Sequence, residues 1–166
     1  MRLRDITIED LPLYRELLTD ARTMRELGGP LPEDALENKL RGIVDEVRAG
    51  TVWYSVIESD GVASGTVCIW EHPDEVTGEP ISEIGWMVLP SQQGRGLASA
   101  AVREIVGRAR AERRWGSINA FPAVTNGASN AICRKSGFAH IGEREVDYAG
   151  RTLRCNHWVL DAQAGT

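Results

Sequence analysis

The segment Pro90-Ser91-Gln92-Gln93-Gly94-Arg95-Gly96-Leu97-Ala98-Ser99 carries the clearest chemical signal in the chain. A strand-like run, Ile81 to Leu89, precedes it, and a helical pattern follows it. Glycines at 94 and 96 let backbone N–H groups approach an anion with no Cβ in the way. The helix that starts here turns its positive end to the same place, which is worth ~0.3–1 kcal/mol per nearby negative charge. Arg95 adds a cationic side chain. The segment has no third glycine of a dinucleotide fingerprint and no Lys-Ser/Thr of an ATP-binding loop. Two glycines at a strand-to-helix turn also serve geometry alone, so on this segment by itself both readings stand.

Other residues able to do chemistry lie on either side. Glu83 stands four residues before Met87, so on a strand their side chains share a face. Ser129 and Cys133 are one turn apart on a short helical run, and Asn126 stands where it could cap that helix. Asp74, Glu75 and Glu79 make an acidic stretch that either attracts a cationic molecule or is simply solvated. The three cysteines, Cys68, Cys133 and Cys155, form no CxxC pair, and His72, His140 and His157 are scattered. Neither a metal site nor a disulfide framework is indicated. His157 reads as structural or as a proton relay.

The elements that must position these residues follow from periodicity. Arg2 to Thr7 reads as a first strand. Leu11, Tyr14, Leu17, Leu18 and Ala21 recur at helical spacing, and Gly28-Gly29-Pro30-Leu31-Pro32 breaks that helix. Leu36, Leu40, Ile43, Val44 and Val47 form the stripe of a second helix. Val52 to Glu58 and Val62 to Trp70 flank Asp60-Gly61, a strong hairpin signal. His72 to Pro80 reads as a loop and Ile81 to Leu89 as a strand. A long helix from Leu97, a short strand Ser117 to Phe121 and a short helix Ser129 to Ser136 follow. Phe138 to Tyr148 and Thr152 to Leu160 make a last hairpin turned at Ala149-Gly150. The predicted order is βααβββαβαββ, an α/β fold with a mixed, mostly antiparallel twisted sheet flanked by helices. Residues 1–161 are expected to form one domain, with 162–166 as a flexible tail. Trp53, Trp70, Trp86 and Trp158 all fall in predicted strands, where aromatic side chains usually belong to the core.

Composition limits the function classes. The 166 residues carry a net charge of -5, which argues against a nucleic-acid partner and is compatible with a cationic one. Met1-Arg2-Leu3-Arg4-Asp5 lacks the apolar core of a secretion signal, and no apolar run is long enough to span a membrane. A reducing, cytoplasmic compartment is expected.

Gln93-Gly94-Arg95-Gly96-Leu97-Ala98 resembles the Q/R-x-x-G-x-G/A motif of the GCN5-related N-acetyltransferase (GNAT) superfamily. Asn126 through Phe138 resembles that family's N-x-x-A/S…G-F helix, and Ile84 to Pro90 its fourth strand. The motifs and elements occur in the family's order over nearly the whole chain. The Glu83-Ile84-Gly85-Trp86 strand and Ser129 look most like the RimJ/RimL-type group, which acetylates protein N-termini. The resemblance implies acetyl-CoA as co-substrate, a primary amine as acceptor (a protein N-terminus or a small molecule), no metal, and a homodimer as an open option. It implies that the amides from Gln93 to Ser99 (Gln93, Gly94, Arg95, Gly96, Leu97, Ala98 and Ser99) hold the pyrophosphate. Val88 and Leu89 would pair with the pantetheine arm. Asn126, Ser129 and Arg134 are cofactor contacts on the same basis.

The chemistry needs a neutral amine, a donor for the oxyanion and a hydrogen bond for the leaving thiolate. The resemblance assigns the oxyanion donor to the N–H of Met87. It makes Glu83 the candidate base, against the plainer reading of a Glu paired with a surface Arg. Many family members carry a Tyr where Cys133 stands, so thiolate assistance falls to Ser129, with Cys133 the alternative. Leu27 to Pro32 and the last hairpin would line the acceptor side. The alternative function is a non-catalytic acyl-CoA-binding or sensing module on the same fold. A third, an unrelated nucleotide-binding protein, is separated from both by which ligand binds.

Overall fold

The computed structural model describes residues 1–162. Its strands are β1 (Arg2–Asp5), β2 (Trp53–Ser59), β3 (Val62–Pro73), β4 (Pro80–Val88), β5 (Ser117–Ala120), β6 (Ala139–Tyr148) and β7 (Arg151–Asp161). The helices are α1 (Leu11–Thr19), α2 (Leu36–Arg48), α3 (Leu97–Glu112) and α4 (Gly127–Lys135). The predicted order βααβββαβαββ is the observed one. All strands join one seven-stranded sheet, ordered β1-β2-β3-β4-β5-β7-β6.

The alternation of side chains along β2, β3 and β4 sorts the core into two layers. Ile57, Val67, Ile69, Ile84 and Val88 face α3, whose Leu97, Ala101, Val102, Ile105, Val106 and Ala109 form the opposing apolar stripe. Val56 and Leu89 face the other way, against Leu13, Tyr14 and Leu17 of α1 and Leu36, Leu40 and Val44 of α2. Of the four tryptophans expected in the core, Trp53 and Trp158 are buried in the first layer, whereas Trp70 and Trp86 are only half-buried.

Two hairpins form where their turn residues lie. Asp60 and Gly61 both take positive φ, as do Ala149 and Gly150. The predicted acidic loop is much shorter than expected, because β3 runs through His72 to Pro73 and pairs with Pro80. What remains is a tight turn built on Asp74. Its Oδ1 accepts from the N–H groups of Val76 (2.8 Å) and Thr77 (2.9 Å), and its Oδ2 from Arg144 Nη1 at 2.6 Å. Asp74 is therefore a buried, paired carboxylate and not a free attractant for cations. Ala162, expected in the flexible tail, is buried and donates to the Gly116 carbonyl at 3.1 Å, and the rest of that expected tail, residues 163–166, lies outside the described residues.

Candidate active site

The sheet changes character between β4 and β5. They are parallel and pair only at Ser82↔Ile118 and Glu83↔Asn119. Beyond Glu83 the two strands part, and a cleft of about 970 Å³ opens between them, reaching the N-terminus of α3. β5 ends at Ala120, and Phe121 and Pro122 line the far wall.

Which β4 amides look into this opening follows from the register with β3. At one end Asp74 N–H donates to Glu79 O, and at the other Leu89 N–H donates to Ser64 O. Between them the register runs unbroken, with Trp70↔Glu83, Cys68↔Gly85 and Thr66↔Met87. In an antiparallel ladder, alternate residues point their backbone groups at the partner strand. Glu83, Gly85, Met87 and Leu89 therefore turn their N–H groups to β3. Those of Ile84, Trp86 and Val88 point the other way. Asn119 Nδ2 donating to Ser82 O at 3.1 Å and Gln93 Nε2 donating to Val88 O at 3.0 Å agree with this phase. The Met87 N–H, expected at the opening, is thus turned to β3, and the Trp86 N–H faces the opening in its place. Leu89 is also displaced from its expected role: its N–H is taken by Ser64 and its side chain is buried under α1 and α2.

The strands approach very closely here. A Cβ on Gly65 would lie 2.2 Å from the Met87 carbonyl oxygen and 2.9 Å from Val88 Cα. Only glycine permits that approach, and it fixes the course of the Met87–Val88 peptide beside the cleft.

The turn after β4 is built as its composition suggests. Gly94 (φ +77°) and Gly96 (φ +75°) occupy the left-handed region. Gly96 is the N-cap of α3 and brings no capping side chain. Among the described residues no protein group outside the helix accepts from the amides of 93 to 99. Helix-start N–H groups left without partners, at the positive end of a long helix, form a site for an anion. Gln93, Gly94, Gly96, Leu97, Ala98 and Ser99 line the cleft. The Arg95 side chain does not. It points to the β2–β3 hairpin, bonding Asp60 Oδ2 at 2.6 Å and also Gln92 Oε1.

On the opposite wall, Asn126 caps α4, its Oδ1 accepting from Ser129 N–H at 3.1 Å. Both residues line the cleft. Cys133 is fully buried in the core, with its thiol pushed up to about 12 by burial, and takes no part in the cleft wall. Arg134 lies outside the lining, with its guanidinium 5.9 Å from the Trp158 ring. Asn130 holds this wall in place. Its Nδ2 donates to Ala123 O (2.9 Å) and Asn126 O (2.8 Å), and its Oδ1 accepts from Trp158 Nε1 at 2.8 Å. The sequence singled out its neighbours but not Asn130.

Glu83 lines the cleft and is bonded, not to an arginine, but to His72. Around them lie Tyr54, Cys68, Trp70 and Tyr148. Burial raises both tyrosine hydroxyls above their ordinary value and pushes the Cys68 thiol up to about 12, so all three are neutral. The hydrogen bond from His72 was hidden because the sequence placed that residue in a loop. Tyr148 carried a signal, since it adjoins the last hairpin's turn. His157 is bonded to Asn119 Oδ1 at 2.7 Å, and burial lowers its pKa. It braces the β5 side of the opening.

The loop between α1 and α2 closes over one end of the cleft. Thr125 Oγ1 donates to Glu26 Oε2 at 2.5 Å, and Arg151 Nη1 donates to the Gly29 carbonyl at 2.8 Å and to that of Gly28. Among the described residues no cluster of His, Cys, Asp or Glu is arranged for a metal ion, and no helix is long and apolar enough to cross a membrane.

A family model described as an acetyltransferase (GNAT) domain matches residues 1–139. No curated protein sequence matches the chain. Among solved structures, a RimL ribosomal L7/L12 alpha-N-protein acetyltransferase in complex with coenzyme A is similar, with TM-score 0.78 and 17% identity over 96% of this chain and 92% of that one. A ribosomal-protein-alanine N-acetyltransferase from Brucella melitensis gives 0.77 and 24% over 97% and 99%. The aminoglycoside acetyltransferase AAC(6')-Ib in complex with coenzyme A gives 0.76 and 19% over 97% and 94%.

Proposed function

The chain belongs to the acetyltransferase (GNAT) family, and from that premise we propose that the cleft between β4 and β5 transfers the acetyl group of acetyl-CoA to a primary amine by direct attack. The observation that carries the reading is the joint exposure, in one cleft, of the uncapped α3 amides and the outward-facing Trp86 and Val88 amides. The first set suits a pyrophosphate. The second suits a chain of amide and carbonyl groups ending in a thioester.

In this reading the amine nitrogen forms a bond to the thioester carbon, and the carbonyl oxygen takes on charge beside the Trp86 N–H. Glu83 accepts the amine's proton as the C–N bond forms. The C–S bond then breaks, and the sulfur is met by the Ser129 hydroxyl, which lies on the cleft wall. Cys133 is too deeply packed to serve. Donor and acceptor occupy the cleft together, so no acetylated enzyme is needed.

The acceptor we favour is an α-amine, the group acetylated by the ribosomal-protein relatives. An α-amine with pKa near ~8 is about one-tenth neutral at pH 7, whereas a lysine amine near ~10.4 is neutral about once in a few thousand molecules. A single carboxylate suffices for the former. The cleft lining supports this choice, since the carboxylates of Glu26, Glu46, Glu71 and Glu83 are matched there by Arg22, Arg25, Lys39 and Lys135, and Glu83 is engaged by His72, a balance that does not favour a polycation.

Calorimetry with CoA and with ATP, followed by thiol release from acetyl-CoA across peptides and small amines, tests the reading. CoA should bind and ATP should not. Glu83→Gln should slow turnover by roughly 10²-fold or more, and Ser129→Ala should slow it while leaving CoA affinity nearly intact. Cys133→Ser should cost stability and leave the chemical step in place. CoA binding with no thiol release from any amine would favour the acyl-CoA sensor.

A further inference from the structure

His72 and Glu83 lie diagonally across the β3–β4 ladder, on the face that looks into the cleft. His72 Nε2 is 2.8 Å from Glu83 Oε2, and His72 Nδ1 is 2.9 Å from the Pro73 carbonyl oxygen. A carbonyl can only accept, so Nδ1 carries a hydrogen. An ionised carboxylate can only accept, so Nε2 must carry one too. Only the imidazolium meets both partners at once while Glu83 remains charged. The ring is held in this orientation by stacking on Trp70, with centroids 6.2 Å apart and planes 24° from parallel.

From this geometry, and resting on the reading of Glu83 as the base, we propose that His72 is a positioning residue that fixes the Glu83 carboxylate at the cleft and keeps it ionised when substrates displace water. A carboxylate losing water beside apolar groups tends to take up a proton, and a cation at hydrogen-bond distance opposes this. The surroundings leave that task to His72. Asp74 nearby is neutralised by Arg144, the Cys68 and Cys155 thiols are pushed up to about 12 and about 11, and Glu75 adds only further negative charge. Among the described residues, His72 is the cation paired with Glu83. The Glu83 hydrogen bond raises the His72 pKa, in keeping with the pair.

The test compares His72→Gln with wild type. Thiol release from acetyl-CoA is measured with the best acceptor among Ala-Ala-Ala, spermidine and kanamycin, from about pH 5.5 to about pH 9. The ratio of the two kcat/KM values cancels the acceptor's own ionisation. It should rise toward one as the pH climbs through the raised His72 value, and fall about tenfold or more toward the acidic end, where only wild type presents a cation to Glu83. A ratio that is flat with pH overturns the proposal, since a merely structural histidine would lower the rate uniformly. Ring titration by NMR gives an independent measurement that does not need the His72 variant. The His72 pKa should fall in Glu83→Gln, and an unmoved value overturns the pair. If Glu83→Gln retains full activity, the base assignment fails while the ring titration still reports on the pair. A panel with no thiol release from any amine overturns both.

Discussion

Replacing Gly65 with alanine tests the account of how the cleft is shaped. The added Cβ would meet the Met87 carbonyl oxygen at 2.2 Å and Val88 Cα at 2.9 Å. Both are backbone atoms, so no side-chain rotation relieves the clash. β3 or β4 must move by about an ångström, in a region where Val67 and Val88 are packed against α3. Overpacking of this kind costs about 1–3 kcal/mol, and each kcal/mol lowers Tm by roughly 2–4 °C in a chain of this size. The displaced peptide is the one beside the outward-facing Trp86 and Val88 amides. Gly65→Ala should therefore lose CoA affinity as well as stability. Thermal melts and calorimetry with CoA read the two effects. Gly107→Ala is the matched control, because a Cβ there meets no atom within 4 Å and the residue sits inside α3. It should stabilise by about 0.5–1 kcal/mol and leave CoA binding alone. The reasoning fails if Gly65→Ala melts within about 1 °C of wild type and binds CoA with the same heat.

The remaining predictions concern the charges around the β3–β4 turn. Asp74→Ala should destabilise by about 2–4 kcal/mol, because it removes the buried carboxylate from the half-buried Arg144 guanidinium and frees the Val76 and Thr77 amides; chemical denaturation measures it. Arg144 and the backbone bonds hold the Asp74 carboxyl well below its ordinary value. Its contribution is therefore fully present above about pH 4 and is lost as the pH falls through the depressed value, so acid should narrow the gap between Asp74→Ala and wild type. His72 has the opposite sign. Its pKa is raised by Glu83, so its contribution is complete below about pH 6.5 and disappears as the pH rises through the raised value. Melting curves of His72→Gln and wild type should converge at alkaline pH.

The element order and both tight hairpins were legible because local rules decide them. Asp60-Gly61 and Ala149-Gly150 can close two-residue turns, and the stripes on α2 and α3 repeat at helical spacing. The glycine turn at the start of α3 was legible for the same reason. What was not legible depended on partners distant in sequence. Asp74 looked like a solvated acid because Arg144, 70 residues away, could not be seen to reach it. His72 looked like a loop residue because its strand pairing with Ile81 extends β3 past Trp70. Ser129 and Cys133 share a helical stripe, yet the packing of α4 puts one at the cleft wall and the other in the core. The direction of the Met87 amide was not legible for a comparable reason. The direction of a strand's N–H groups depends on the phase of its ladder, and that phase is set by the hydrogen bonds at Asp74 and Leu89.

The narrow joint between β4 and β5 has a mechanical consequence. Four strands on one side and three on the other are linked by two rungs at Ser82 and Glu83, with Asn119 Nδ2 and the Ser82 hydroxyl adding braces to Ser82 O and Trp115 O. Within the sheet itself, the hydrogen bonds thus lash two rafts together near one end only, while α3 packs beneath both. A guest whose own amides bridge the open end completes the lashing, so binding stiffens the whole sheet as well as the walls it touches. Amide exchange should slow on both rafts together when the fork is filled, even at strands far from the guest.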